Sequence, residues 1–163
     1  MIIVVMGLPG TGKTYFAEHL AAHRQAKHIS SDKTRNQLQK RGNYAPEDKA
    51  QVYREMLVQA EEALKTGQDV IMDATYSQKA CRDEVMALAQ RLSTPAHFIQ
   101  LTADEGTVRE RTSKEREDSE ADFKVYQLIK QSFEPLEGPH LKLNSSQLKI
   151  EEMLAIAQNY LTS

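Results

Sequence analysis

Gly7, Gly12, Lys13 and Thr14 stand at the four fixed positions of G-x-x-x-x-G-K-[ST], in the stretch Gly7-Leu8-Pro9-Gly10-Thr11-Gly12-Lys13-Thr14. Each residue type has a chemical reason to be there. Glycines let backbone N–H groups curl around phosphate oxygens with no Cβ in the way, and Gly10 and Thr11 belong to the same cradle. Lys13 brings an ammonium to β- and γ-phosphates, and Thr14 offers a hydroxyl to Mg²⁺. The chemistry written into this stretch is the binding of a nucleoside triphosphate, ATP, with its magnesium ion. Such a loop works only between a strand and a helix whose positive end meets the anion. Both flanks are present: Ile2-Ile3-Val4-Val5 is apolar and β-branched, and Tyr15, Phe16, His19 and Leu20 follow helical spacing beyond Lys13.

Two carboxylates carry the next step. Asp73 ends the apolar run Asp69-Val70-Ile71-Met72-Asp73, where a strand-end carboxylate can hold Mg²⁺ or its waters. It can equally cap the helix that begins near Ser77, although Ser77 is better placed for that. Asp32 follows a short strand at 27–30, and Arg35 lies one helical turn further on the same side. A group that phosphorylates a hydroxyl needs a carboxylate within hydrogen-bond reach of it, so Asp32 and Arg35 read as base and anchor for an acceptor. The plainer alternative is an acid at a helix start beside a solvated arginine.

A third set is Arg109, Arg111 and Arg116, on a polar segment with few apolar residues. An arginine on a closing lid can meet the charge that develops on a transferred phosphoryl group, and Arg111 and Arg116 are the candidates. Each also fits a solvated helix face.

The elements that must position these residues alternate between strand and helix along the chain. Strands are expected at 27–30, 69–73, 96–101 and 141–143 after the first, with helices at 34–40, 47–65, 78–92, 103–114, 122–133 and 146–161; the charged run 116–121 has no apolar face and reads as mobile. This alternation predicts an α/β fold with helices on both faces of a five-stranded parallel sheet. Ligands then collect at the carboxyl ends of the strands, which brings the glycine-rich loop, Asp32 and Asp73 to one edge. The fully apolar first strand belongs in the middle, in the order 2-3-1-4-5.

The 163 residues suit one domain, 1–163, with a short arginine-bearing lid at about 104–122, and bury about two-thirds of the unfolded surface without crosslinks. The 21 basic and 23 acidic residues leave a formal charge of -2, so no global field recruits nucleic acid or an acidic membrane. One cysteine, Cys81, forms no internal disulfide and has no activating motif around it, and the apolar start lacks the flank and length of a signal peptide. The expectation is a cytoplasmic protein with no membrane partner. No N-K-x-D guanine-reading sequence occurs, which disfavours a GTPase.

With these groups in place, the sequence resembles P-loop kinases of the polynucleotide kinase and zeta-toxin-like group, whose AAA-type ATP-binding domain is a P-loop NTPase fold. The likeness runs over Gly7 to Thr14, Ser30-Ser31-Asp32 with Arg35, Val70-Ile71-Met72-Asp73-Ala74-Thr75, the arginine lid, and Leu143-Asn144-Ser145-Ser146. It implies that Asp32 is the general base for a 5′-hydroxyl, that Arg35 seats the acceptor, and that Asn144 and Ser145 lie near the adenine. Three readings follow: an ATP-dependent kinase of the 5′-hydroxyl of a polynucleotide, a kinase of a small molecule such as a sugar, nucleotide-sugar or antibiotic, and a nucleotide-binding regulatory module without turnover. Lys33, Arg35, Lys40 and Arg41 form a small basic set on the acceptor side that suits a polyanion, a single phosphate or water.

Overall fold

The first strand, β1 (Ile2–Met6), is withdrawn from water at every residue. A strand apolar on both faces must be covered on both, and in this computed structural model it lies at the centre of a parallel sheet. Residues 1–114 and 119–163 are described. β3 (Val70–Asp73) pairs on one side of β1 and β4 (Ala96–Thr102) on the other; β2 (Lys27–Ser30) extends the sheet beyond β3, and β5 (Leu141–Asn144) beyond β4. The order is β2-β3-β1-β4-β5, all parallel, as the sequence predicts.

Alternation along β1 divides the core in two. Ile2, Val4 and Met6 face α3 (Pro46–Lys65) and α4 (Lys79–Arg91), which contribute Val52, Met56, Ala60, Val85 and Leu88. Ile3 and Val5 face α1 (Lys13–Arg24) and α7 (Ile150–Thr162), which contribute Phe16, Leu20, Met153, Ala157 and Leu161. Fully burying side chains of this size stabilises the fold by about 1.5–3 kcal/mol each, so the sheet's position is strongly determined.

Three helix starts differ by three residues or more from the sequence expectation, two of them because of a side chain that bonds the backbone nearby. The helix after β2, α2 (Ser31–Gln37), starts three residues before 34, because the Ser30 hydroxyl accepts the Lys33 N–H at 3.1 Å and makes Ser30 the cap. The last helix starts at Ile150, not 146: the Asn144 side chain accepts the Ser146 N–H at 2.9 Å and holds a turn, and the Glu152 carboxylate accepts the Lys149 N–H at 2.8 Å to open the helix. Beyond β4 come α5 (Glu105–Lys114) and α6 (Ser119–Ser132), the latter beginning three residues before 122. Val108, Phe123 and Tyr126 form a small apolar cluster with Leu8, which docks this pair of helices on the glycine-rich loop. Among the described residues no helix is long and apolar enough to cross a membrane.

Candidate functional site

The loop joining β1 to α1 is shaped by positions where a side chain has no room. At Gly7, with φ +149, a Cβ would lie 2.3 Å from the Leu101 carbonyl oxygen. Gly12 takes φ +87 just before α1 begins. The Thr11 hydroxyl donates to the Leu8 carbonyl at 2.7 Å, and the Lys13 ammonium donates to the same oxygen at 3.0 Å, so the lysine folds back along its own loop. Burial pushes the Lys13 ammonium below its ordinary pKa, against the opposing charges of Asp73 and then Asp32. The first turn of α1 carries no acidic residue. A cradle of backbone N–H groups, a buried cation and an uncompensated helix N-terminus together favour an anion.

The strand ladder carries Asp73 to this cradle. Asp73 pairs in register with Val5 of β1 on one side and Ser30 of β2 on the other, and is 2% exposed. The Thr14 hydroxyl donates to Asp73 Oδ2 at 2.8 Å. Asp73 caps no helix: α4 has Gln78 at its cap position, and the Asp73 carboxylate meets Thr14 instead. A hydroxyl and a carboxylate oxygen are hard donors suited to Mg²⁺, and a buried carboxylate beside a phosphate cradle gains from a cation. No cluster of three or more histidine, cysteine or acidic side chains suited to a metal occurs among the described residues. Such a sparse set fits Mg²⁺, which keeps waters and substrate phosphates as its other ligands. His28 is a neighbour that the motif pattern does not reveal: its Nε2 lies 3.2 Å from the same Asp73 oxygen.

Asp32 and Arg35 meet as their spacing implies. Arg35 Nη1 donates to Asp32 Oδ1 at 3.4 Å; the arginine side chain is 9% exposed and the aspartate side chain 78%. Tyr44, from the loop after α2, lies with its ring 4.6 Å from the Arg35 guanidinium carbon. This contact too was hidden in the sequence, since a loop of Gly, Asn and Pro content gives no sign of which side chain folds back. The arrangement presents an open carboxylate on a clamped arginine, in the helix that follows β2, the strand next to the one bearing Asp73.

The arginines on the far side divide. Arg111 donates from Nη1 to the Gly10 carbonyl at 3.2 Å and to Ser145 Oγ at 2.9 Å, and from Nη2 to the Ser145 carbonyl at 3.4 Å. Ser145 in turn donates to the Thr11 carbonyl at 2.7 Å, and Asn144 donates to Asp104 at 3.2 Å. Arg111, Ser145 and the loop residues Gly10 and Thr11 thus form one network. Arg109 instead covers the Phe123 ring at 3.9 Å. Arg116 lies outside the described residues. Cys81 sits in α4, where burial pushes its thiol up and keeps it protonated, in line with the absence of any activating motif.

A strand, phosphate loop and helix at the centre of a 2-3-1-4-5 parallel sheet, with a second carboxylate strand beside it, define a P-loop NTPase fold. The chain belongs to the AAA domain family, whose model matches residues 2–136. No curated protein sequence matches it. Among solved structures it is similar to the APS kinase CysC of Mycobacterium tuberculosis in complex with AMPPNP and APS, at 15% identity and TM-score 0.78, covering 99% of this chain and 97% of that one. It is also similar to a sugar kinase from Janibacter sp. HTCC2649, at 20% identity and TM-score 0.74 over 99% and 94% of the two chains. A third is Kti12 of Chaetomium thermophilum in complex with ADP-AlF3, at 19% identity and TM-score 0.73 over 98% and 97%. At such identities the likeness establishes the fold.

Proposed function

We propose that the protein is an ATP-dependent phosphotransferase that moves the γ-phosphate of ATP to a hydroxyl of a small acceptor molecule. The observation that carries this reading is the exposed Asp32 carboxylate, held by Arg35 beside the cradle and close enough for its charge to act on Lys13. An open carboxylate at that place is suited to receive the proton of a bound hydroxyl. In the proposed step the acceptor oxygen attacks the γ-phosphorus, the new O–P bond forms as the bond from phosphorus to the β–γ bridging oxygen breaks, and ADP leaves. Asp32 receives the hydroxyl proton and Arg35 orients the acceptor. Lys13 and the loop N–H groups hold the β- and γ-phosphates, and Thr14 with Asp73 holds the magnesium side. Mg²⁺ bound there supplies positive charge to phosphate oxygens. Arg111 ties the loop to Ser145 at the nucleoside end, beside Asn144, and Arg116 is the second lid arginine.

The size of the acceptor follows from charge. A polynucleotide backbone is gripped by unpaired cations. Here Lys33 pairs with Glu18, Arg35 with Asp32, and Lys40 with Asp48, which leaves the basic set on the acceptor side largely neutralised. The sugar kinase and APS kinase among similar structures point the same way. The 5′-hydroxyl of a polynucleotide is the second reading, favoured by the Ser30-Ser31-Asp32 and Arg35 signature. The test is incubation with labelled ATP and a panel of sugars, nucleosides and 5′-hydroxyl oligonucleotides. Label in a small hydroxyl compound, lost in Asp32→Asn, is the expected result. Label at oligonucleotide 5′ ends would overturn the small-acceptor assignment, and tight ATP binding with transfer to no acceptor would favour the regulatory module.

A further inference from the structure

We infer that His28 is a positioning residue for Asp73, setting which carboxylate oxygen faces the phosphate loop. The inference rests on the phosphotransferase reading only in taking Thr14 and Asp73 as the magnesium side. His28 lies two residues before Ser30 in β2, so both side chains emerge on the face of the sheet that Asp73 also occupies. The β2–β3 ladder sets this, with Ser30 opposite Asp73 and His28 opposite Ile71. The His28 side chain is 9% exposed and that of Asp73 2%. A carboxylate oxygen is an acceptor, so the 3.2 Å contact is a hydrogen bond for the tautomer of His28 that carries its hydrogen on Nε2.

The Thr14 hydroxyl donates to that same Oδ2 atom, at 2.8 Å. Two donors from two different elements, β2 and α1, therefore converge on one oxygen and fix the carboxylate plane. The lone pairs these two donors do not use would serve Mg²⁺ or one of its waters. The Thr14 hydroxyl, its hydrogen committed to Asp73, keeps lone pairs to offer a cation. Without the His28 donor the carboxylate is held from one side, and a buried anion loses part of the solvation that burial removed. Donors that orient a ligating carboxylate in this way typically govern metal affinity by 10–100-fold. His28 touches neither nucleotide nor acceptor in this account and works only through Asp73.

The decisive measurement is Mn²⁺ binding to the full-length protein with the non-hydrolysed analogue AMPPNP, read by electron paramagnetic resonance, beside metal-free AMPPNP binding and the melting temperature. His28→Gln keeps a donor near the place of Nε2, whereas His28→Asn puts its amide at the place of Nδ1, and His28→Leu has none. We expect His28→Gln to hold Mn²⁺ within about threefold of wild type and His28→Asn and His28→Leu to weaken it by roughly 10–100-fold. Metal-free AMPPNP binding should stay within about threefold in all of them. If His28→Leu does not fold, the Gln and Asn pair decides. Equal Mn²⁺ affinity in His28→Asn, His28→Gln and wild type would overturn the inference. Equal loss in His28→Gln and His28→Asn would also overturn it, since packing and not the donor would then matter. Failure of wild type itself to bind Mn²⁺ with AMPPNP would instead remove the magnesium assignment of Thr14 and Asp73.

Discussion

Arg111 donates from Nη1 to the carbonyl oxygen of Gly10 at 3.2 Å, across 101 residues of chain. The contact ties α5 to the rim of the phosphate loop, and Ser145 completes it by accepting from Arg111 at 2.9 Å while donating to Thr11. Removing the guanidinium loosens the loop wall that must hold the transferred group still. Arg111→Ala is expected to lower turnover by roughly 10–1000-fold while ATP affinity falls much less, because positioned charge counts most in the transition state. Steady-state rates beside ATP titration read the two effects apart. In Ser145→Ala the arginine loses the hydroxyl but keeps the Gly10 and Ser145 carbonyls, so the double variant should lose less than the product of the single losses.

Lys13 has the opposite character, a cation whose burial costs the empty protein stability. The unfolded chain holds the lysine proton more tightly than the folded one, because burial lowers the folded pKa from its ordinary value of 10.5. The folded state is therefore penalised while the lysine is charged in both states. As pH rises from the lowered pKa towards 10.5, that penalty is relieved and stability from this group increases. Lys13→Met should melt higher than wild type near neutral pH without nucleotide. The gap should narrow at alkaline pH. The same variant should transfer no phosphate and bind ATP weakly, since no other loop side chain supplies charge to the β- and γ-phosphates. Thermal melts across pH, with and without ATP, measure both.

Gly7 separates shape from chemistry. An alanine there must bring its Cβ to 2.3 Å from a backbone oxygen of Leu101 and keep φ at +149. Both the strand end and the loop must shift. Gly7→Ala is expected to cost about 1–3 kcal/mol of stability or more, seen as a lowered denaturation midpoint. At Gly12 the nearest atom to a Cβ is Arg111 Nη1 at 3.6 Å, so Gly12→Ala should fold with a smaller loss and fail mainly in nucleotide binding.

Asp32 and Arg35 test the acceptor side. Asp32→Asn keeps the shape and removes the charge, so ATP affinity should hold while turnover falls by roughly a hundredfold to ten-thousandfold. Arg35→Ala should raise the KM for the acceptor, and because the two side chains are in contact the double variant should lose less than the product. Acceptor titration at saturating ATP separates the effects. Undiminished turnover in Asp32→Asn would end its role as base.

Much of this was legible because some residues admit few alternatives. Five consecutive apolar residues before the loop could only be a strand covered on both faces, and that fixed the centre of the sheet. Asp73 at the end of a second apolar run could then be placed beside it. Contacts made by side chains with several possible partners were not legible. His28 reads as one residue of a short strand, and its reach to Asp73 depends on the β2–β3 register, which spacing does not encode. Tyr44 meets Arg35 only because the loop after α2 folds back. The starts of α2 and α7 shifted because Ser30 and Asn144 use their side chains on nearby backbone N–H groups, a competition that helical periodicity ignores.

The place of β3 in the sheet has a consequence for how such a chain can be rebuilt. On one side of it stand β1, β4 and β5, with the loop, Arg111 and Ser145; on the other stand β2 and the segment from Ser31 to Pro46, bearing Asp32, Arg35 and Tyr44. That segment leaves the sheet at Ser30 and rejoins the helical layer at the head of α3, and every residue from 41 to 47 is exposed. A graft of residues 31–45 from another chain would therefore join at two fixed points, provided it keeps the buried Thr34 and the Leu38 that packs against the core. If Asp32 and Arg35 seat the acceptor as proposed, the fold is a host with one socket, through which acceptor preference would be exchanged while β1, the loop and Asp73 stay as they are.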